Sequence, residues 1–419
     1  MREAVAAYRA RTFKSLAVRN YRLYFIGQGI SISGTWMQSV AQGLLVLELT
    51  GSGTQLGLVT ALRSIPVLAF GAMGGVIADR YPKRKILYAS QTMAGLLGLT
   101  LGILVATGEV QMWMLDILAV LLGFVSVVDN PTRQSLILEL VGPDQIRNAV
   151  SLNSTEVNLA RVIGPTLAGI LVSTVGLAAC FIVDGLSYFA VIVVLMRMRE
   201  DEMFLGQTVS RARGQLREGF AYAWANLPVR KTLIMMAIIG TFTYEFNVIL
   251  PIFAEFTFDS GPSAYAAMTA AMGLGAVVGG LSVAGRVRTS QWSIVISAAL
   301  FGCSVLLTAL APTLYVAVGL LLVVGYFSIS FTTMGNSTIQ LATDPTMRGR
   351  VMALWTVSFL GTTPIGGPII GAIGEHIGAR WGLLVGGVAA LIAAAYGARG
   401  IQRVTSTDEV TTVERRPAS

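Results

Sequence analysis

The chain has 419 residues, of which 54% are hydrophobic and only 12% charged, and it carries a formal net charge of +8. A soluble domain averages about 25% charged residues, so composition excludes a water-soluble enzyme, and the mean hydropathy of +0.69 points to a chain solvated largely by lipid. A single histidine, His376, excludes a His-based metal cluster, and two cysteines, Cys180 and Cys303, give no disulfide framework.

Residues 1–20 are basic and amphipathic and read as a cytoplasmic N-terminal segment; the apolar run that follows is too long for a signal peptide. The first expected span, 21–49, carries Gln28, Ser31, Thr35, Gln38 and Gln42 at spacings of three and four, on one helical face, with Trp36 and Met37 close by. A polar stripe in a membrane helix faces protein or a water-filled cavity. Two uses stand side by side: an adaptable cavity for amphipathic, aromatic compounds, or polar glue between helices. The second span, 54–78, holds Arg63, to which no role is assigned, and runs into the loop Gly75-Val-Ile-Ala-Asp79-Arg80-Tyr-Pro82-Lys83-Arg84. Spans at 86–107 and 111–134 follow. In the latter, Asp129 and Arg133 lie one turn apart, which suits a charge relay with Arg80 or Arg84 better than a proton role. The fifth span, 146–175, contains Glu156 and the run Ala160-Arg161-Val-Ile-Gly164-Pro165-Thr-Leu-Ala168-Gly169, in which small residues favour close packing and Pro165 a bend. The sixth, 178–197, carries Asp184. Arg161 is expected to pair with Asp184 or Glu156, or to bind an anionic substrate, with structural pairing preferred.

A polar interval at 200–230 divides six spans from six. Beyond it, spans are expected at 231–257, 263–284, 291–310, 313–340, 350–374 and 380–399, before a polar tail, 401–419, expected to be disordered. Glu245, beside Tyr244 and Asn247, falls in the middle of the seventh span. A charge at that depth costs about 2.5–3.5 kcal/mol on insertion scales, so it needs a reason. A carboxylate alternating between proton and substrate is one; a fixed interhelical ion pair is the other. Asp129, Glu156 and Asp184 are the further candidates for proton coupling.

Lysine and arginine concentrate in the N-terminal segment, the even-numbered connections and the tail, while the odd-numbered connections hold almost none. That is the positive-inside pattern with both termini cytoplasmic, and it explains the basic charge without nucleic acid. The halves also echo each other. The run from Pro143 through Gly164 and Gly169 recurs, at constant displacement, from Pro345 through Gly366 and Gly371, and residues 71–75 resemble 275–280.

The loop Gly75–Arg84 resembles the signature loop of the major facilitator superfamily, with Pro82 where that family prefers glycine, so a left-handed turn is excluded there. The resemblance implies a gate loop (Gly75, Asp79, Arg80, Lys83 and Arg84, with Arg133 as its partner) that holds an outward-facing state. The fifth span resembles the superfamily's antiporter motif at Gly164, Pro165 and Gly169, with alanine at two glycine positions. The phrases at 28–46, 129–141, 148–154 and 348–355 are similar to the branch of enterobactin exporters, and the resemblance covers about residues 20–400. It implies an all-α membrane protein: twelve helices in two six-helix pseudo-symmetric bundles, 21–199 and 231–400, around a central cavity. The expected function is proton-antiport export of small amphipathic molecules, drug-like compounds or siderophores, by alternating access in a bacterial inner membrane. Import of a solute by a proton-coupled symporter or facilitator is the alternative, and a non-transporting sensor or partner protein a lower one. Cavity and substrate candidates are Gln28, Thr35, Trp36, Gln38, Gln42, Tyr244, Asn247 and Arg161. No enzymatic constellation, ATP-binding loop, cofactor or metal is expected, and the chain is expected to work as a monomer.

Overall fold

The computed structural model describes residues 13–204, 215–284, 291–344 and 347–399. Most of the expected N-terminal segment, the middle of the central interval and the whole tail lie outside these residues, as does the side chain of Asp79. Within them the chain is helical throughout. The first half comprises α1 (Arg19–Thr50), α2 (Gly53–Arg80), α3 (Lys83–Thr107), α4 (Met112–Val141), α5 (Ile146–Thr174) and α6 (Leu177–Arg197). A short helix, α7 (Gln215–Ala225), precedes the second half: α8 (Leu227–Phe242) with α9 (Phe246–Phe258), α10 (Pro262–Ala284), α11 (Gln291–Ala309), α12 (Leu314–Ala342), α13 (Arg348–Leu360) with α14 (Thr363–His376), and α15 (Ala379–Ala398). Counting α8–α9 and α13–α14 as one crossing each gives twelve. Eleven described segments are long and apolar enough to cross a bilayer. The twelfth is α1, whose polar stripe lowers its hydropathy but whose 32 residues span about 48 Å.

The helix ends follow from local chemistry. Gly51 and Gly108 close α1 and α3 in left-handed conformations with φ of 61° and 75°. Ser52 and Thr313 cap α2 and α12 through their hydroxyls. Pro82 opens α3 with φ −57°, as its ring requires, and no left-handed turn occurs there. The eleventh crossing breaks because Pro364 has no N–H to donate to Leu360 and stands in the first turn of α14, where that loss is harmless. At the break of the seventh, Tyr244–Glu245, Thr243 donates its hydroxyl to the Gly386 carbonyl at 2.7 Å and fastens the end of α8 to α15. The central interval, expected to be a plain polar connection, contains α7, whose Phe220 stacks on Trp224 and whose Glu218 pairs with Arg350.

The internal repeat is visible as packing. In each half the fifth crossing lays its motif glycine on the first crossing of the same half. A Cβ at Gly164 would stand 2.7 Å from the Ser33 carbonyl oxygen of α1, and one at Gly366 2.8 Å from the Thr241 carbonyl carbon of α8. One turn or so further on, the next motif glycine meets the second crossing of the opposite half: Gly169 faces Ala266 of α10, and Gly371 faces Gly53 of α2. Gly57 and Gly367 continue the α2–α14 contact so closely that a Cβ on Gly57 would lie 2.8 Å from Pro368 Cα. The halves therefore meet along α2–α14 and α5–α10, in the portion away from the termini. On that side Glu375 of α14 accepts hydrogen bonds from Ser52 Oγ (2.7 Å), Thr54 N (2.9 Å) and Thr54 Oγ1 (2.6 Å), tying the N-terminus of α2 to the other half.

Candidate functional site: a cavity between the halves

Between the halves lies a cavity of about 430 Å³. Its wall comes from α1, α2, α3, α4 and α6 on one side, and from α9 and the broken crossing α13–α14 on the other. It runs from Gln42 and Leu56 to Arg133 and Thr356, toward the ends of the helices that carry the termini. Placing a pocket between two pseudo-symmetric halves, next to interrupted helices, is how secondary transporters expose a mid-membrane site.

The polar stripe of α1 divides. Thr35, Trp36 and Gln42 line the cavity, joined by Ser39, while Gln28, Ser31 and Gln38 are buried outside its wall. Thr35 Oγ1 lies 3.2 Å from Tyr188 Oη, linking α1 to α6. Asn247 also lines the cavity; Tyr244 does not. The Tyr244 hydroxyl donates to the Ser328 carbonyl at 2.8 Å and contacts Thr332 Oγ1 at 2.7 Å, so it pins the helix break to α12.

Two charge assignments are corrected. Among the described residues, which exclude the Asp79 side chain, Arg133 makes no contact with the gate loop. It pairs with Asp129 one turn back, donates to Gln28 Oε1 at 2.9 Å and lines the cavity. Asp129 in turn accepts from Ser90 Oγ and Gln91 Nε2, both at 2.7 Å. The loop instead docks about 9 Å further along α4: Lys83 pairs with Glu139, while Arg84 pairs with Glu200 and donates to the Leu195 carbonyl. Arg80 is exposed, and Gly75 is half-buried. All these loop contacts are within the first half. Arg161, expected to pair with Asp184 or Glu156, forms neither ion pair among the described residues. Its guanidinium sits over the Trp36 ring, 5.0 Å from the centroid, and it does not line the cavity. All three side chains lie against α1 but at separate places: Arg161, five residues beyond Glu156 on the same helix, covers Trp36. Glu156 faces Gly29 and Asp184 faces Gly34, each filling the notch that a missing Cβ leaves.

Among the described residues, the other three candidates for proton coupling are buried without a basic partner. Asp184 is fully buried and neither oxygen is hydrogen-bonded; Glu156 and Glu245 are buried with Oε1 unpartnered. Glu245 stands at the break between α8 and α9, against Gly366 and Gly367 of α14. Its neighbours Asn247 and Thr363 open onto the cavity. The chief residue that sequence reasoning left without a role is Arg63, which the structure places in the cavity wall with Tyr188 and Asn130. The only signal for it was a lone arginine inside an apolar run.

The model of the transmembrane secretion effector family matches residues 10–417. The chain belongs to that family of major facilitator transporters. It is 24% identical over 383 residues to the enterobactin exporter EntS of Shigella flexneri, covering 89% of this chain and 91% of that protein. It is 23% identical over 238 residues to the staphyloferrin A transporter of Staphylococcus aureus; that match spans 57% of this chain and 60% of the relative. Among solved structures, an occupied, inward-facing bacterial homologue of the human lysosomal transporter Spinster superposes with a TM-score of 0.71 at 15% identity, covering 92% of this chain and 96% of that one. A bacterial homologue of the iron transporter ferroportin does so at 0.65 and 17% identity, covering 90% and 98%. These likenesses establish the fold. As a member of this family the chain is a multi-pass membrane transporter, not an enzyme.

Proposed function

We propose that this transporter exports small amphipathic molecules of the siderophore or drug-like class by proton antiport, acting as a monomer in a bacterial inner membrane with both termini in the cytoplasm. Direction is supported by the relative named as an enterobactin exporter and by the Gly164–Pro165–Gly169 motif, and the substrate class by both relatives named for siderophores. Orientation is supported by the distribution of lysine and arginine. In that orientation the α2–α14 and α5–α10 contacts close the outer side, and the cavity faces inward, ready to load from the cytoplasm.

The observation that carries the coupling is Glu245. A buried carboxylate with no basic partner needs a proton when it is not engaged, because an isolated ion in an apolar interior is strongly penalised. Its place at a helix break, against the crossing that seals the outer side, allows protonation to alter how α8–α9 and α14 pack. The cycle follows: the protonated carrier returns inward, Glu245 loses its proton to the cytoplasm, substrate loads, and outward opening exchanges substrate for a proton.

The test is efflux from proteoliposomes under an imposed pH gradient, comparing wild type with Glu245→Gln. We expect the variant to lose gradient-driven accumulation while retaining downhill exchange. Gradient-driven efflux that survives in Glu245→Gln shifts coupling to Asp184, Glu156 or Asp129. Movement only inward sinks the export reading.

A further inference from the structure

We propose that Arg63 is the anion-binding group of the cavity, and that the transported compound is a hydroxylated anion held through its carboxylate or acidic phenol. This inference rests on the export reading for direction, though not for binding.

Arg63 lies ten residues into α2, about 15 Å along a crossing, and lines the cavity wall. Among the described residues it forms no ion pair and no hydrogen bond through its side chain. The other arginines nearby are committed: Arg133 to Asp129 and Gln28, Arg161 to the face of Trp36. The Asp129–Arg133 pair cancels, so among the charged residues that line the cavity Arg63 is the one without a counter-ion there. Asp184 is within electrostatic reach of Arg63, yet it forms no ion pair with it and does not line the cavity. An uncompensated cation at this depth in a membrane protein marks a ligand pathway and calls for an anion. The planar guanidinium fits a carboxylate with two parallel hydrogen bonds.

The wall around it defines the rest of the ligand. The hydroxyls of Thr35, Thr60, Ser64 and Ser126 all donate to their own helix backbones, at 3.0, 2.9, 3.0 and 2.8 Å. With their protons engaged by the backbone, these hydroxyls have only lone pairs left to offer a ligand, and Thr35 already shares its oxygen with Tyr188. The complement is a ligand that brings hydrogen-bond donors as well as negative charge. Hydroxylated carboxylates and catechol-bearing acids have that combination; amines and uncharged apolar drugs do not.

The probe pair is 2,3-dihydroxybenzoate and its neutral amide, titrated calorimetrically against the full chain in lipid nanodiscs. Wild type is expected to bind the acid about tenfold more tightly than the amide. Arg63→Gln should remove that preference, weakening the acid about tenfold and leaving the amide unchanged, and Arg63→Lys should fall between. Thermal unfolding of each variant separates lost binding from lost fold; should Arg63→Gln not fold, the acid-to-amide ratios of wild type and Arg63→Lys decide. Equal affinity for acid and amide in wild type, an undiminished preference in Arg63→Gln, or no binding of the acid at all overturns the assignment. Acid that binds as expected but moves only inward in proteoliposomes overturns export while the anion site stands.

Discussion

Charged side chains in a membrane helix are informative according to what each one touches. Lys83, Arg84 and Arg133 look equivalent as positive charges near a gate loop, but they divide between two jobs. Lys83 and Arg84 brace the first half from below, while Arg133 turns with Asp129 into the cavity. Asp129 is nearly fully buried, and three groups converge on it and its partner Arg133: Ser90, Gln91 and Gln28. Removing its charge strands Arg133, whose side chain keeps 26% of its surface open to the cavity. That exposure softens the penalty from the full cost of breaking a buried pair to about 2 kcal/mol. Asp129→Asn should therefore lower the unfolding temperature measurably in detergent. Unchanged stability would show that Ser90 and Gln91 suffice to hold the site without the ion pair.

At the scale of helices, the repeat determines where the halves close. The fifth crossing of each half is gripped by its own first crossing and meets the second crossing of the other, through glycines at equivalent positions. The α2–α14 contact carries a clasp as well: one Glu375 oxygen accepts three hydrogen bonds from the start of α2. Because the clasp joins the halves only when the side away from the termini is shut, it stabilises the cavity's present opening over the opposite one. The group is exposed, so the net contribution is about 1 kcal/mol, or roughly a fivefold bias. Spin labels at the clasped ends of α2 and α14 should report a larger separated population in Glu375→Ala. An unchanged distance distribution would mean that the glycine contact alone sets the equilibrium.

For the molecule as a whole, sidedness governs function, since the same cavity loads from the cytoplasm or from outside depending on how the chain is threaded. The orientation proposed from the basic residues is checked by single-cysteine labelling in a background lacking Cys180 and Cys303. A membrane-impermeant maleimide should modify S52C in intact cells and reach R84C only after permeabilisation. The reverse pattern would turn the cavity outward and move the importer reading ahead.

Much of this was legible in the sequence. Composition, apolar runs and arginine placement depend on burial and membrane charge, which act residue by residue, so twelve crossings and two halves could be read without coordinates. The motif around Gly164 and Gly366 was equally legible, because close helix packing demands small residues wherever it occurs. The α1 stripe was legible as a polar face, but not which members open onto the cavity: residues 28, 31 and 38 differ from 35, 39 and 42 only in which neighbour covers them. The partners of Arg133, Arg161 and Arg63 were likewise beyond it. Ion pairing depends on which side chains packing brings together, and the seating of Arg161 on Trp36 of α1 is a fact of packing. Helix breaks show the division most plainly. Pro364 announces one in the sequence, whereas the break at Glu245, where the coupling is proposed to reside, coincides with Thr243 and Tyr244 bonding to α15 and α12, contacts that exist only once the second half has folded.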